Sequence, residues 1–310
     1  MSLITAYQDA KRLYDKQKAL APYEGLDPNR AQQQLRMDIS SVGVSVAAVT
    51  GTNFRFINNY TCQTYRASIT RALQEVRANT LLKSGSSLIL TLWPEDIRLD
   101  VIAHEFRQNF SSISQLDKRL QLAPNEFRLA SGYVYRVLTQ GWPQAECMGL
   151  KLEEIKPLED ILPLGVLIRR YWGPLAALDT LMSHFYSLFT REVILVAILD
   201  ASRIHYFKLE KGLFASVRIA DRDSLKNPLG LKKILQDFSM PKSPQVYMID
   251  LGATSHDVSA FCAEVSQKEH VNMNLVDRAE LMQSFNILAA AERSSLFPLA
   301  MLEGSKDGRF

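Results

Sequence analysis

The sequence has little of what the common chemical templates require. It holds three cysteines, Cys62, Cys147 and Cys262, with no close pair among them. An odd, widely spaced set excludes a disulfide-stapled secreted fold and indicates a reducing compartment, with each cysteine expected as a small buried hydrophobe. There is no G-x-x-x-x-G-K-[ST], no G-x-S-x-G and no H-E-x-x-H, which removes hydrolases built on those patterns. The five histidines, His104, His184, His205, His256 and His270, are scattered and show no chelating spacing, so no metal site is expected. Charge of one sign is also missing. The chain has 36 basic against 33 acidic residues, a formal net charge of +3, too small an imbalance to call for nucleic acid or another polyanion. Long hydrophobic runs are absent as well. The strongest, REVILVAILDASRIHYF, is shorter than a spanning helix needs and rich in β-branched residues. The first twenty residues, MSLITAYQDAKRLYDKQKAL, lack the apolar core and cleavage site of a signal peptide. The expectation is a soluble protein that meets a membrane only through a partner.

What is present is core-forming material. Of 310 residues, 47% are hydrophobic, enough for one large core or two smaller domains. Residues 1–35 read as an amphipathic helix and a linker. From Arg36 the pattern turns strand-like, with RMDISSVGVSVAAVT and FRFINNYTCQTY joined by a turn at Gly51 to Asn53 as in a hairpin. RASITRALQEVRANTLLK follows as a helix with Ile69, Leu73 and Val76 at helical spacing, and GSSLILTLWPEDIRLDVI returns to strand, interrupted at Pro94. Residues 103–122 read as a helix, whereas EFRLASGYVYRVL has mixed character. The proline-bearing middle, from Gly141 to Phe189, is expected as short helices and loops. Within it, LIRRYWGPL combines Arg169, Arg170, Tyr171 and Trp172, which points to a core edge or a protein contact in preference to base stacking.

A second strand-rich unit begins near Arg191. REVILVAILDAS, RIHYFKLEK and LFASVRIADR form a meander with a turn at Glu210 to Gly212. NPLGLKKILQDFS then reads as a helix, QVYMIDL as a strand, HDVSAFCAEVSQKE as a helix and VNMNLVD as a strand. The chain thus repeats hairpin or meander, helix and strand in two unequal halves, which argues for an α/β protein of two related lobes.

That order resembles the actin-like (ribonuclease H-like) fold shared by actin, sugar kinases and Hsp70 chaperones. More narrowly, it resembles the cytoplasmic actin-like proteins of type IV pilus and type II secretion inner-membrane platforms, the PilM and GspL group. The resemblance covers about residues 36–300 and is strongest from 191 to 277. It implies a bilobal α/β fold with a first lobe over 36–190, carrying an inserted helical segment, and a second lobe over 191–310. Active members of the fold cradle phosphates in two glycine-rich hairpins, each behind an aspartate. The first matches Asp38, Ile39, Ser40, Ser41, Val42 and Gly43; the second matches Leu199, Asp200, Ala201, Ser202 and Arg203. Both keep the aspartate and lack the glycine close behind it, and a Cβ there weakens the approach of backbone amides to a phosphate. Gly252 and Ala253, in YMIDLGATSHDVSAF, fall where the fold places its adenosine-side turn. A helical pattern follows them, so they are expected first as a turn ahead of a capped helix.

The resemblance therefore implies a vestigial nucleotide site at Asp38, Ser40, Ser41, Asp200, Ser202, Gly252 and Ala253. It implies no catalytic residue, no metal ligand and no obligatory cofactor, with ATP and Mg²⁺ left open. For both hairpin aspartates the competing structural role is a bond to their own turn. The implied function is a cytoplasmic adaptor that contacts a membrane-embedded pilus or secretion subunit and the assembly ATPase, associated with the inner membrane through them. Self-association is left open. Two alternatives stand beside it: an active ATP-binding actin-like protein that gates assembly, and an unrelated protein-interaction module.

Overall fold

Strand alternation in QLRMDIS puts Leu35, Met37 and Ile39 on one face and Gln34, Arg36, Asp38 and Ser40 on the other. All seven are buried, so this strand is covered on both sides. In the computed structural model it is β1 (Gln33–Ser40), and residues 33–35 belong to it, ahead of the boundary expected at 36. The structure describes residues 33–50, 53–102, 116, 119–120, 122–138, 145–184, 193–226, 228–252, 256–268, 271–277 and 280–281. The expected N-terminal helix, most of the helix at 103–122 and Ala253 lie outside those residues. The chain divides into two compact units, Met1–Ala176 with Glu303–Phe310, and Ala177–Leu302.

In the first unit β1 is followed by β2 (Gly43–Thr50), β3 (Asn53–Thr61), α1 (Tyr65–Ala78) and β4 (Ser87–Leu92). Then come β5 (Ile97–Ile102), β6 (Tyr133–Val137), β7 (Ala145–Lys151), α2 (Leu152–Asp160) and β8 (Leu167–Trp172). Helix α3 (Gly173–His184) carries the chain into the second unit. The main sheet has the order β3-β2-β1-β4-β8. Its first three strands pair antiparallel, while β1, β4 and β8 run parallel.

Helix α1 starts where Thr64 Oγ1 accepts the Ala67 amide at 3.2 Å, an N-cap that satisfies one free donor. Glu75 then accepts from Tyr60 Oη at 2.6 Å and Asn58 Nδ2 at 3.1 Å. These bonds tie α1 to edge strand β3 on the face that, by register, carries Val44 and Ile39. On that same face Arg170 of β8 forms a buried ion pair with Glu159 of α2.

Part of the stretch from Gly141 to Phe189 expected as short helices and loops is corrected: β7 and β8 are strands there, and β7 pairs with β5, expected as strand, and with β6, in the stretch of mixed character. The insert between β4 and β8 holds a three-stranded antiparallel sheet, β5-β7-β6. Tyr135, Val137, Cys147 and Ile102 pack there against Leu116, Leu120, Phe127 and Leu129. Gly149 lies beneath the Tyr135 ring, where a Cβ would approach Cε1 to 2.7 Å, and burial pushes the Tyr135 hydroxyl up to about 12. β8 also replaces part of the expected loop. LIRRYW is its whole length, with Tyr171 and Trp172 buried, which makes this cluster a core edge.

The second unit runs β9 (Val193–Leu199), β10 (Arg203–Glu210), β11 (Leu213–Asp221), α4 (Pro228–Asp237), β12 (Gln245–Asp250), α5 (His256–Lys268) and β13 (Asn272–Leu275). Lys211 and Gly212, at φ 51° and 76°, form the two-residue turn of a tight hairpin, which needs positive φ at both positions. The sheet order is β11-β10-β9-β12-β13, the first sheet's order repeated. Val258, Phe261, Cys262 and Val265 of α5 join Leu195, Ala197, Tyr206, Val246 and Met248 in its core, at the helical spacing the sequence shows.

The repetition extends to register. The Trp93 amide donates to the Ile39 carbonyl at 2.9 Å, and the Leu251 amide donates to the Leu199 carbonyl at 3.1 Å. Both link the end of the first strand to the residue just past its parallel neighbour. At the first hairpin Gly43 meets β3 closely: a Cβ there would sit 2.0 Å from the Tyr60 carbonyl oxygen. Gly43→Ala is therefore expected to cost about 2–3 kcal/mol by forcing β2 from β3, read as a lower midpoint in urea unfolding with the slope unchanged.

Candidate functional site

In open α/β sheets, ligands are met at the carboxyl ends of the parallel strands. In each unit those ends carry the sequence-selected residues.

In the first unit Asp38 is 1% exposed and lies in register with Thr91 of β4. Trp93 is one pleat beyond Thr91, on the same face. Its indole Nε1 donates to Asp38 Oδ2 at 2.8 Å, both groups buried. The ring packs closely against the start of α3, because a Cβ on Gly173 would fall 2.3 Å from Trp93 Cε2. A bulky aromatic side chain thus covers the carboxylate at the end of β1. Ser40 Oγ donates to the Gly43 carbonyl at 3.2 Å, closing the hairpin turn in which Ser41 sits. Ser40, Ser41 and Val42 separate Ile39 from the turn's glycine, Gly43.

In the second unit Asp200 accepts from the amides of Ser202 at 2.7 Å and Arg203 at 2.6 Å, and from Ser202 Oγ at 3.3 Å, all on Oδ1. Its other oxygen meets His205 Nε2 at 2.7 Å, and His205 is 1% exposed. Asp200 bonds its own turn, as the structural role for it requires; Asp38 accepts from Trp93.

Register also separates the two aspartates. Ser40 pairs with Gly43 across a two-residue turn, and Asp200 donates its amide to the Arg203 carbonyl across the same kind of turn. Asp200 therefore corresponds to Ser40 in the repeat, and Asp38 stands two residues earlier. Their likeness in sequence is not equivalence in the fold.

The remaining carboxylate is Asp250, at the end of β12. Arg222 follows β11, and its guanidinium donates from Nη1 to Asp250 Oδ1 at 3.1 Å and from Nη2 to Oδ2 at 2.8 Å. Nη1 also donates to the Asp200 carbonyl at 2.6 Å. The Gly252 amide donates to Asp250 Oδ1 at 2.9 Å, an Asx turn. A Cβ on Gly252 would come within 3.2 Å of Arg222 Nη1, so the guanidinium fills the space over that glycine. Asp200 and Gly252 are brought together, and Arg222 stands between them.

Burial by itself would raise the Asp200 carboxyl. The His205 hydrogen bond and charge, with the Ser202 and Arg203 amides, outweigh burial and hold it below the usual carboxylate range. A carboxyl depressed in the folded state stabilises the fold above its unfolded value, and that stability is lost as pH falls through the folded value. The Tm gap between wild type and Asp200→Asn is expected to be constant above roughly pH 4.5 and to narrow below about pH 4. A gap that widens on acidification would contradict this sign.

Sequence reading missed Trp93, His205, Arg222 and Asp250 as members of these constellations. Asp250-Leu251-Gly252 at a strand end was a readable turn signal, as was Asp200-Ala201-Ser202. Trp93 and Arg222 reach partners 55 and 28 residues away, and no local pattern announces such contacts. Among the described residues, no three His, Cys, Asp or Glu side chains converge as a metal site. No helix among them is long and apolar enough to cross a membrane.

No family model matches the sequence, and no curated protein matches it. Solved structures do. A Bacteroides thetaiotaomicron protein with an actin-like ATPase fold and unknown function aligns at TM-score 0.53 with 12% identity, covering 84% of this chain and 97% of that one. A chain of the PilM–PilN type IV pilus biogenesis complex aligns at TM-score 0.55 with 13% identity, covering 87% and 96%. With the repeated sheet order and register, these likenesses define the fold: this is a bilobal α/β protein of the actin-like class.

Proposed function

We propose that this protein is a non-catalytic adaptor of a type IV pilus or type II secretion-like assembly platform at the inner membrane. It holds a cytoplasmic segment of a membrane subunit on one side and the assembly ATPase on the other, and its nucleotide site is degenerate. The observation that carries this reading is the bidentate Arg222–Asp250 pair, with Nη1 also bound to the Asp200 carbonyl. At the strand ends where an actin-like ATPase receives phosphates and their cation, this chain places its own guanidinium. The likeness to a chain of the PilM–PilN complex directs the reading toward a pilus or secretion machine. A protein of this fold without nucleotide chemistry acts through its surfaces, as a link between a motor and a membrane subunit.

The test is fluorescence anisotropy with labelled cytoplasmic N-terminal peptides of the pilus and secretion membrane proteins of the same cell, titrated with the purified chain. Saturable micromolar binding of one peptide, competed by its unlabelled form, is the expected result. Absence of binding to every such peptide, by protein with a cooperative thermal transition, would overturn the adaptor reading.

A further inference from the structure

The carboxyl end of the second sheet is held closed by a cation that the chain supplies itself. Two oxygens, the Asp200 carbonyl and Asp250 Oδ1, face one point, the Arg222 Nη1 atom, at 2.6 and 3.1 Å. Asp250 is 7% exposed. Its second oxygen takes Nη2, and its first also accepts the Gly252 amide. Asp200 commits both carboxylate oxygens to Ser202, Arg203 and His205. The Arg222 amide itself donates to the Ser202 carbonyl at 2.8 Å, which fixes the root of the side chain on the hairpin that its tip joins to β12.

A hard divalent cation takes oxygen ligands at about 2.0–2.1 Å for Mg²⁺ and about 2.3–2.6 Å for Ca²⁺. Two oxygens already aimed at a common point need only a small inward movement to serve either ion, with water completing the shell. The guanidinium occupies that point, satisfies the same oxygens and supplies the positive charge that a metal ion would bring. A nucleotide–magnesium group does not fit beside it: the guanidinium stands over Gly252, and no glycine amide follows Asp200 closely enough to receive a phosphate.

We infer that Arg222 is a tethered replacement for a divalent cation: it holds the β9–β10 turn against the β12 turn without ligand, and its removal uncovers a latent Mg²⁺ or Ca²⁺ site on Asp250 and the Asp200 carbonyl. The second lobe is then set in one arrangement whatever the nucleotide or metal concentration. This rests on reading the crevice as a degenerate nucleotide site, and it adds what took the place of the lost ligand.

The experiment is thermal unfolding of the full chain, Arg222→Ala and Arg222→Lys, each with MgCl₂ or CaCl₂ against NaCl of matched ionic strength. Wild type is expected to show no divalent-specific shift. Arg222→Ala is expected to melt on the order of 5 °C lower and to regain about half of that with millimolar Ca²⁺ or Mg²⁺. Arg222→Lys, which keeps the charge but not the fork, is expected to lie between them and to ignore divalent ions. If Arg222→Ala does not fold alone, it is refolded with CaCl₂ or MgCl₂ against NaCl of matched ionic strength: a cooperative transition recovered only with a divalent ion is expected, and none recovered with either ion overturns the inference. A divalent-specific shift in wild type, or a folded Arg222→Ala that ignores both ions, overturns the inference. A folded Arg222→Ala that ignores both ions leaves the adaptor reading standing, and the peptide titration decides partner binding separately.

Discussion

Trp93→Ala is expected to destabilise the protein by about 3–5 kcal/mol, among the largest single-residue effects in the chain, and to leave it unable to bind nucleotide. Trp93 is 4% exposed, and its ring fills the space between the Asp38 carboxylate and the backbone of Gly173. Removing it leaves a cavity and takes a buried donor from a buried acceptor, two costs that add. Trp93→Phe separates them. It keeps most of the ring volume and deletes the N–H, so a loss of about 1–3 kcal/mol is expected, that of an unmade buried hydrogen bond. Chemical unfolding monitored by circular dichroism reads both values. If Trp93 merely blocked an otherwise competent phosphate cradle, Trp93→Ala would gain nucleotide affinity. The hairpin beside Asp38 carries Ser40 and Ser41 in place of glycine, and no gain is expected.

Glu159→Ala is expected to cost about 3–5 kcal/mol, because it strands the Arg170 guanidinium on a buried sheet face. Both side chains of the pair are about nine-tenths buried. The pair fastens α2, which follows the inserted three-stranded sheet, to the edge strand β8 of the main sheet. The double variant Glu159→Met with Arg170→Met supplies the control. Replacing a whole buried pair by apolar groups of similar size is often neutral or stabilising, so it is expected to recover most of the loss. A double variant as unstable as the single one would show that packing around α2, and not the stranded charge, sets the cost.

The sequence made some elements legible and concealed others for physical reasons. The second unit was readable because its signals are local. Lys211-Gly212 marks a tight turn, β9 is a continuous apolar run, and α5 shows Val258, Phe261, Cys262 and Val265 at helical spacing. In the stretch from Gly141 to Phe189, Pro143, Pro157, Pro163 and Pro174 pointed to loops. Pro157 sits inside α2 and Pro174 in the first turn of α3, where the missing amide costs little. β7 and β8 are short strands between these prolines. Their pairing with β5, β6 and β4 is long-range, and composition does not report it. Asp38 and Asp200 were legible because each stands at a hairpin that matches the resembled fold; Asp250 and the partners Trp93 and Arg222 were not, because a hydrogen bond from Trp93 to Asp38 or from Arg222 to Asp250 is made only by the completed sheet. The likeness of Asp38 and Asp200 in sequence suggested equivalent roles, and only strand register shows that they differ by one pleat.

In each unit the chain's own side chains, Trp93 against Asp38 and Arg222 against Asp250, occupy the strand ends where a nucleotide would be met, and the protein is expected to work without nucleotide. Calorimetric titration of the folded wild-type chain with Mg-ATP and Mg-ADP tests it most directly. No saturable heat up to millimolar nucleotide is the predicted result. Saturable micromolar binding, lost in an Asp38→Ala, Asp200→Ala double variant that still unfolds cooperatively, would contradict the claim and place the protein among the nucleotide-gated members of its fold.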